Sequence, residues 1–152
     1  MITMSKATFD EMLAHAKADY PHECCGLMIG RFDRDDDMRW VSRVERARNL
    51  NTERAHDRFE LDPLDFLRVE RALADSDDEI VGFYHSHPDH PPRPSATDAA
   101  RAFEVYSYII VGVQHRERTL ARSWRFAESR AAFDEELLRV NESAVVEPSG
   151  TS

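Results

Sequence analysis

Cysteine is nearly missing from this chain, and the two it has, Cys24 and Cys25, are adjacent. Neighbouring cysteines are poor geometry for a structural disulfide and fit no zinc-ligand spacing, so both are expected to be small buried side chains. Apolar runs of bilayer length are missing as well, and Met1 to Asp10 lacks the apolar core of a signal peptide. The expected compartment is therefore the cytoplasm, with no membrane as partner. Positive charge is in short supply: 20 Lys and Arg face 29 Asp and Glu, a net charge of −9. That balance argues against nucleic acid as the main partner. Repeats and low-complexity blocks are also lacking.

What is present suits a soluble globular chain, with 41% hydrophobic and 32% charged residues in 152. One domain over 1–140 is expected, large enough for a core without staples. Residues 141–152 have no periodicity and are expected to form a disordered tail. Ser5 to Ala18 reads as a helix ended by Pro21, with Phe9, Met12, Leu13 and Ala16 on one face and His15 read as a solvated surface histidine. Cys24 to Ile29 and Arg39 to Val44 read as a hairpin around a charged turn at Asp33 to Asp37. Ala47 to His56 is polar and irregular, and Arg58 to Leu61 reads as a short strand. Asp62-Pro63 opens a helix to about Ala74 that offers Leu64, Leu67, Val69 and Leu73 for burial. Tyr106 to Val113 is a central strand, Leu120 to Phe126 another, and Glu128 to Val140 a closing amphipathic helix. The fold class is α/β: a mixed β-sheet with helices packed on it.

The chemistry gathers between them. Ile80 to Tyr84 is a buried strand running into His85-Ser86-His87-Pro88. Side chains alternate along a strand, so His85 and His87 face the same way, as a pair of ligands for a borderline metal such as zinc would. Pro88, Pro91, Pro92 and Pro94 stiffen the loop that follows, and Ser95 to Asp98 looks like a helix start running on to about Val105. A loop folded back would let Asp98 give a third ligand and leave a fourth position for water, the arrangement of a catalytic zinc. The same Ser95 and Asp98 also resemble a capping box, and the two readings are compatible. Asp89, His90 and Arg93 read as surface residues or supports. A hydrolase of this kind also needs a carboxylate base that is not a ligand. Glu23, at the mouth of the Cys24 strand, suits that role, but composition alone does not choose it over Glu11, Glu45 or Asp89.

The run from His85 to Asp98, together with Pro21-His22-Glu23-Cys24-Cys25-Gly26 upstream, resembles the signature of the JAMM (MPN-plus) metallopeptidases. The resemblance covers roughly the first 140 residues and implies the MPN, cytidine-deaminase-like, architecture. It implies His85, His87 and Asp98 as ligands of one zinc ion per chain, Glu23 as general acid/base, and Ser95 as hydrogen-bond donor to the developing oxyanion. The short form is similar to a bacterial branch that cleaves after the C-terminal Gly-Gly of small ubiquitin-like sulfur-carrier proteins, and it leaves a homodimer open. Three rivals are weaker. Deubiquitinases of the family carry insertions for which this chain has no obvious room. Non-catalytic MPN scaffolds usually lack part of the ligand set, which is whole here. The acidic balance and the Glu23 strand count against the related DNA-repair branch.

Overall fold

A computed structural model describes residues 1–51, 60–100 and 102–142, and the backbone of 145–146. In chain order these form β1 (Ile2–Ser5), α1 (Lys6–Asp19), β2 (Cys25–Asp33), β3 (Met38–Ala47), α2 (Pro63–Ala72) and β4 (Glu79–Pro88). Then come α3 (Ala96–Ala100), β5 (Ser107–Gln114), β6 (Arg118–Ala127), β7 (Ala132–Glu136), β8 (Leu138–Asn141) and β9 (Val145–Val146). The strands join one mixed sheet in the order β7-β6-β5-β4-β2-β3-β1-β8-β9. Only Leu137 separates β7 from β8, so the two ends of the sheet meet through one stretch of chain. The Ile2 amide seals that junction by donating to the Leu137 carbonyl at 3.0 Å.

Alternation along the central strands divides the interior in two. Met28, Tyr84, Ile109 and Val111 pack with Met12 and Ala16 of α1. Leu27 and Ile29 pack with Val69 of α2, and Phe66, Phe83 and Tyr106 close that cluster. Helix α1 begins where Ser5 accepts the Thr8 amide, as a cap should. Helix α2 is capped by Asp62, which accepts from Leu64, with Pro63 in its first turn. Both cysteines are free and buried, and burial pushes the Cys24 thiol up to about 12. Among the described residues no helix is long and apolar enough to cross a membrane.

Several expectations are corrected. His15 is 3% exposed, because Thr8, Met12, His15 and Ala16 share the buried face of α1. The sheet-facing stripe of α2 runs through Asp65 and Val69, leaving Leu64 67% and Leu67 38% exposed. Glu128 to Val140 is not a helix. A single 3₁₀ turn (Glu128–Arg130) ends at Ala131 in left-handed conformation, and β7 and β8 follow. Helix α3 stops at Ala100 instead of running on to about Val105. Beyond it the Phe103 amide donates to the Tyr108 hydroxyl at 2.8 Å, and the Val105 carbonyl accepts from Arg39 at 2.8 Å, so neither continues a helical ladder. In the expected tail, Val145 and Val146 pair with β8, while most of 141–152 lies outside the described residues. The first half of the Arg58 to Leu61 strand lies outside them too; Leu61 itself bridges to Asn49.

Candidate active site and metal centre

Strand register builds the site. β2 and β4 pair antiparallel with Cys25 opposite His85, and the Ser86 amide donates to the Cys24 carbonyl at 3.1 Å. Continuing the register brings Glu23 beside His87, on the same sheet face as both histidines. Ser86 points to the other face, and its buried hydroxyl accepts the Cys24 amide at 2.8 Å. That bond ties the histidine strand to the residue after Glu23. Asn49 holds Glu23 from the other side, its amide donating to the Glu23 carbonyl at 3.1 Å while its oxygen accepts from Asn51 and Glu60. Behind the site, the Tyr84 hydroxyl meets His15 Nδ1 at 2.7 Å.

The loop from β4 to α3 is held at separate points. Asp89 sits at φ 57° and accepts from the Tyr20 hydroxyl at 2.6 Å and the His115 amide at 3.0 Å. Trp124 donates to the Pro92 carbonyl at 3.0 Å. Gly112 lies under the loop, where an added Cβ would come 2.9 Å from the His90 carbonyl oxygen. At the far end Ser95 and Asp98 form a reciprocal capping box: the Ser95 amide donates to Asp98 Oδ2 at 2.8 Å, and the Asp98 amide to Ser95 Oγ at 3.1 Å.

The loop therefore folds back and brings Asp98 onto the histidines. Its oxygens lie 3.2 Å from His85 Nε2 and 3.3 Å from His87 Nε2, and the two Nε2 atoms are 3.2 Å apart. Atoms held tetrahedrally at zinc bonding distance stand about 3.3 Å from one another, so the spacing fits such an ion. The chemistry of the set agrees. His87 Nδ1 donates to the Pro91 carbonyl at 3.0 Å, which in the neutral ring turns the Nε2 lone pair towards Asp98 and His85. The two Nε2 atoms and the two Asp98 oxygens thus share one small, buried space that a cation would suit. Glu23 joins them: its carboxylate and the two imidazoles offer ligand atoms within 4.8 Å of one another, close enough to share a metal ion. It is 5% exposed.

Electrostatics follow from burial and pairing. Burial lowers the His85 pKa more than Asp98 raises it. For His87 burial also acts downward, but the hydrogen bonds that the protonated ring gives to Asp98 and Pro91 outweigh it and the pKa is raised. Burial acts to raise the Asp98 carboxyl, yet the hydrogen bonds from both histidines hold it far below the usual carboxylate range. A cavity of about 710 Å³ opens from His85, Thr97 and Asp98 and is walled by Phe66, Phe83 and Tyr106 among others. Its size suits an organic ligand or a peptide segment. Sequence reasoning missed this apolar wall, Asn49 and Ser86. Only Ser86 left a signal, as the hydroxyl residue that alternation turns away from the two histidines.

The structure thus brings together Glu23, His85, His87 and Asp98, with Ser95 at the edge of the group. Known proteins are similar to the chain over most of its length. A desampylase of Haloferax volcanii is 36% identical over 126 residues, covering 80% of this chain and 86% of that protein. A CysO-cysteine peptidase of Mycobacterium tuberculosis is 34% identical over 132 residues, covering 86% of this chain and 85% of that protein. The solution structure of a protein from Desulfitobacterium hafniense superposes with a TM-score of 0.80 at 35% identity, covering 94% of each chain. Residues 5–127 match the family described as prokaryotic homologs of the JAB domain, and to that family the chain belongs.

Proposed function

We propose that the protein is a zinc metallopeptidase of the JAMM type that hydrolyses the bond after a C-terminal Gly-Gly of a small ubiquitin-like sulfur-carrier protein, acting in the cytoplasm. The observation that carries the reading is the spacing of 3.2 and 3.3 Å among His85, His87 and Asp98, with the Glu23 carboxylate within 4.8 Å of the histidine nitrogens. The similarity to a desampylase and a CysO-cysteine peptidase supports the substrate class. His85, His87 and Asp98 hold one zinc ion, which when bound supplies Lewis acidity to the scissile carbonyl and to the attacking water.

The remaining steps belong to side chains. Glu23, a carboxylate outside the ligand set, accepts the proton of the attacking water and returns it to the departing amine. Ser95 already accepts the Asp98 amide, so its own O–H is left to donate to the carbonyl oxygen as negative charge develops there. His85 is only 2% exposed at the base of the site. A substrate backbone must come close to it, and glycine is the residue that allows such an approach.

The test is a carrier protein ending Gly-Gly-Cys or Gly-Gly-peptide, set beside Gly-Ala and Ala-Gly versions. Mass spectrometry is expected to show trimming to the bare diglycine for the first alone, and only with zinc present. Equal trimming of all three removes the diglycine requirement; trimming of none removes the peptidase reading.

A further inference from the structure

The largest fully buried side chain of the protein is a charged one, Arg39 of β3, at 0% exposure. A guanidinium taken out of water is costly unless its donors and charge are matched. The match here is partial. Nη1 meets Asp37 Oδ1 at 3.2 Å, the guanidinium lies over the Phe32 ring at 3.7 Å, and Nε has no partner among the described residues. Burial and the neighbouring Arg125 accordingly lower its pKa from the ordinary arginine value. Replacing a buried ion by an apolar side chain of similar length is often neutral for stability, so a buried charge is weak evidence of a role in stability alone.

What the guanidinium reaches points to another role. Nη2 donates to the Val105 carbonyl at 2.8 Å, 66 positions along the chain. Arg125 of β6 shares Asp37 at 2.8 Å and donates to the Glu104 carbonyl at 3.4 Å. Glu104 in turn accepts the Glu128 amide at 2.7 Å. Two arginines and one carboxylate thus grip a two-residue stretch that has no helical or strand ladder of its own. That stretch joins α3, which carries Asp98, to β5, and Phe103, Val105 and Tyr106 form a wall of the cavity beside His85.

We infer that Arg39 is a positioning residue: held by Asp37 and aided by Arg125, it fixes the 103–106 wall of the cavity in which substrate binds. The inference rests on the proposed function for its word substrate, and on the hydrogen-bond geometry alone for the strut itself. The strut acts on binding rather than on the reacting atoms, because it touches neither the histidines nor Glu23.

The test compares the wild-type protein with Arg39→Met and Arg39→Lys. Arg39→Met keeps the length and removes the donors, and it suits a buried site; Arg39→Lys keeps the charge and loses the planar fork. Both are expected to bind metal as the wild type does and to keep kcat within about twofold, while KM for the carrier rises about tenfold with Met and less with Lys. Independently of any activity, amide exchange across 102–108 is expected to quicken about tenfold in Arg39→Met, with β2 and β4 unchanged. Unchanged exchange in a folded Arg39→Met overturns the strut. Faster exchange with unchanged KM overturns its role in substrate binding. A variant too unstable to purify transfers both readouts to Arg39→Lys, on the same criteria. If the wild type trims no carrier, the peptidase reading fails while the exchange measurement still judges the strut.

Discussion

The two halves of the site are held by different physics. His85 and His87 ride on β4 and Glu23 lies just ahead of its neighbour β2; these are paired strands in the middle of the sheet with core on both faces. Ser95 and Asp98 ride on a proline-rich loop and a helix of five residues, fixed at separate points by Gly112, Trp124, Asp89 and the capping box. A ladder shares any local loss among many hydrogen bonds, whereas a loop pinned at separate points moves when one pin goes. The strand half therefore sets which groups face the metal position, and the loop half sets whether the Asp98 carboxylate arrives there.

The hardest blow to the comparison is to remove a ligand from each half. His85→Ala and Asp98→Ala are both expected to lose most of the zinc and with it activity, showing that neither half binds alone. Full metal occupancy in either variant would reject this ligand set. Glu23→Gln separates ligand from base: zinc is expected to stay while turnover falls roughly 10²-fold or more. Loss of zinc in that variant would make Glu23 a ligand and remove the mechanism. Ser95→Ala, in the loop half, is expected to keep metal and lose less activity than the Glu23 variant. It also loses a helix cap, at about 1 kcal/mol of stability, so thermal melts belong beside the kinetics.

Gly112→Ala probes a pin of the loop without touching the site. Its methyl would meet the His90 carbonyl at 2.9 Å and Pro92 Cδ at 3.1 Å, pushing the loop outward. Between those residues lies Pro91, whose carbonyl orients His87. Supports of this kind typically carry about 10- to 100-fold in metal affinity or activity. A loss near the lower end is expected, measured as zinc affinity by competition with a chelator. Wild-type affinity would mean that the loop yields freely and that His87 is oriented by β4 alone.

The same division explains what the sequence could disclose. The strand half was legible because alternation fixes which side chains share a face, and Ser5, Asp62 and Ser95 act as caps where local chemistry places them. The C-terminal region was not. Leu138 and Val140 alternate buried with exposed neighbours, yet the stretch around them also carries helical spacing. Long-range pairing decides between the two readings: β7 completes one end of the sheet against β6, and β8 runs parallel to β1 near the other. The end of α3 was hidden for a related reason, since the carbonyls of Glu104 and Val105, where the helix was expected to continue, are claimed by Arg125 and Arg39, far away in sequence. His15 looked like a surface residue because its partner, Tyr84, lies 69 positions away.

That histidine gives the finest probe of the strand half, from the back of β4. His15 Nε2 lies 3.3 Å from Asp19, and Nδ1 accepts from Tyr84, an arrangement that satisfies the neutral ring. Burial lowers its pKa, Asp19 opposes this, Arg46 adds to the lowering, and the balance remains below the ordinary 6.5. Above that value both folded and unfolded chains hold the ring neutral, and the stabilisation is complete. As pH falls below it the unfolded chain takes up a proton that the folded chain resists, so stability drops until the lowered folded pKa is passed. The histidines at the metal site titrate too, so the quantity to follow is the difference in unfolding free energy between wild type and His15→Gln at each pH. That difference is expected to be flat from pH 8 to about 6.5 and to shrink below it. A difference that grows on acidification would mean that Asp19 prevails over burial, and a flat one that β4 draws no pH-dependent support from α1.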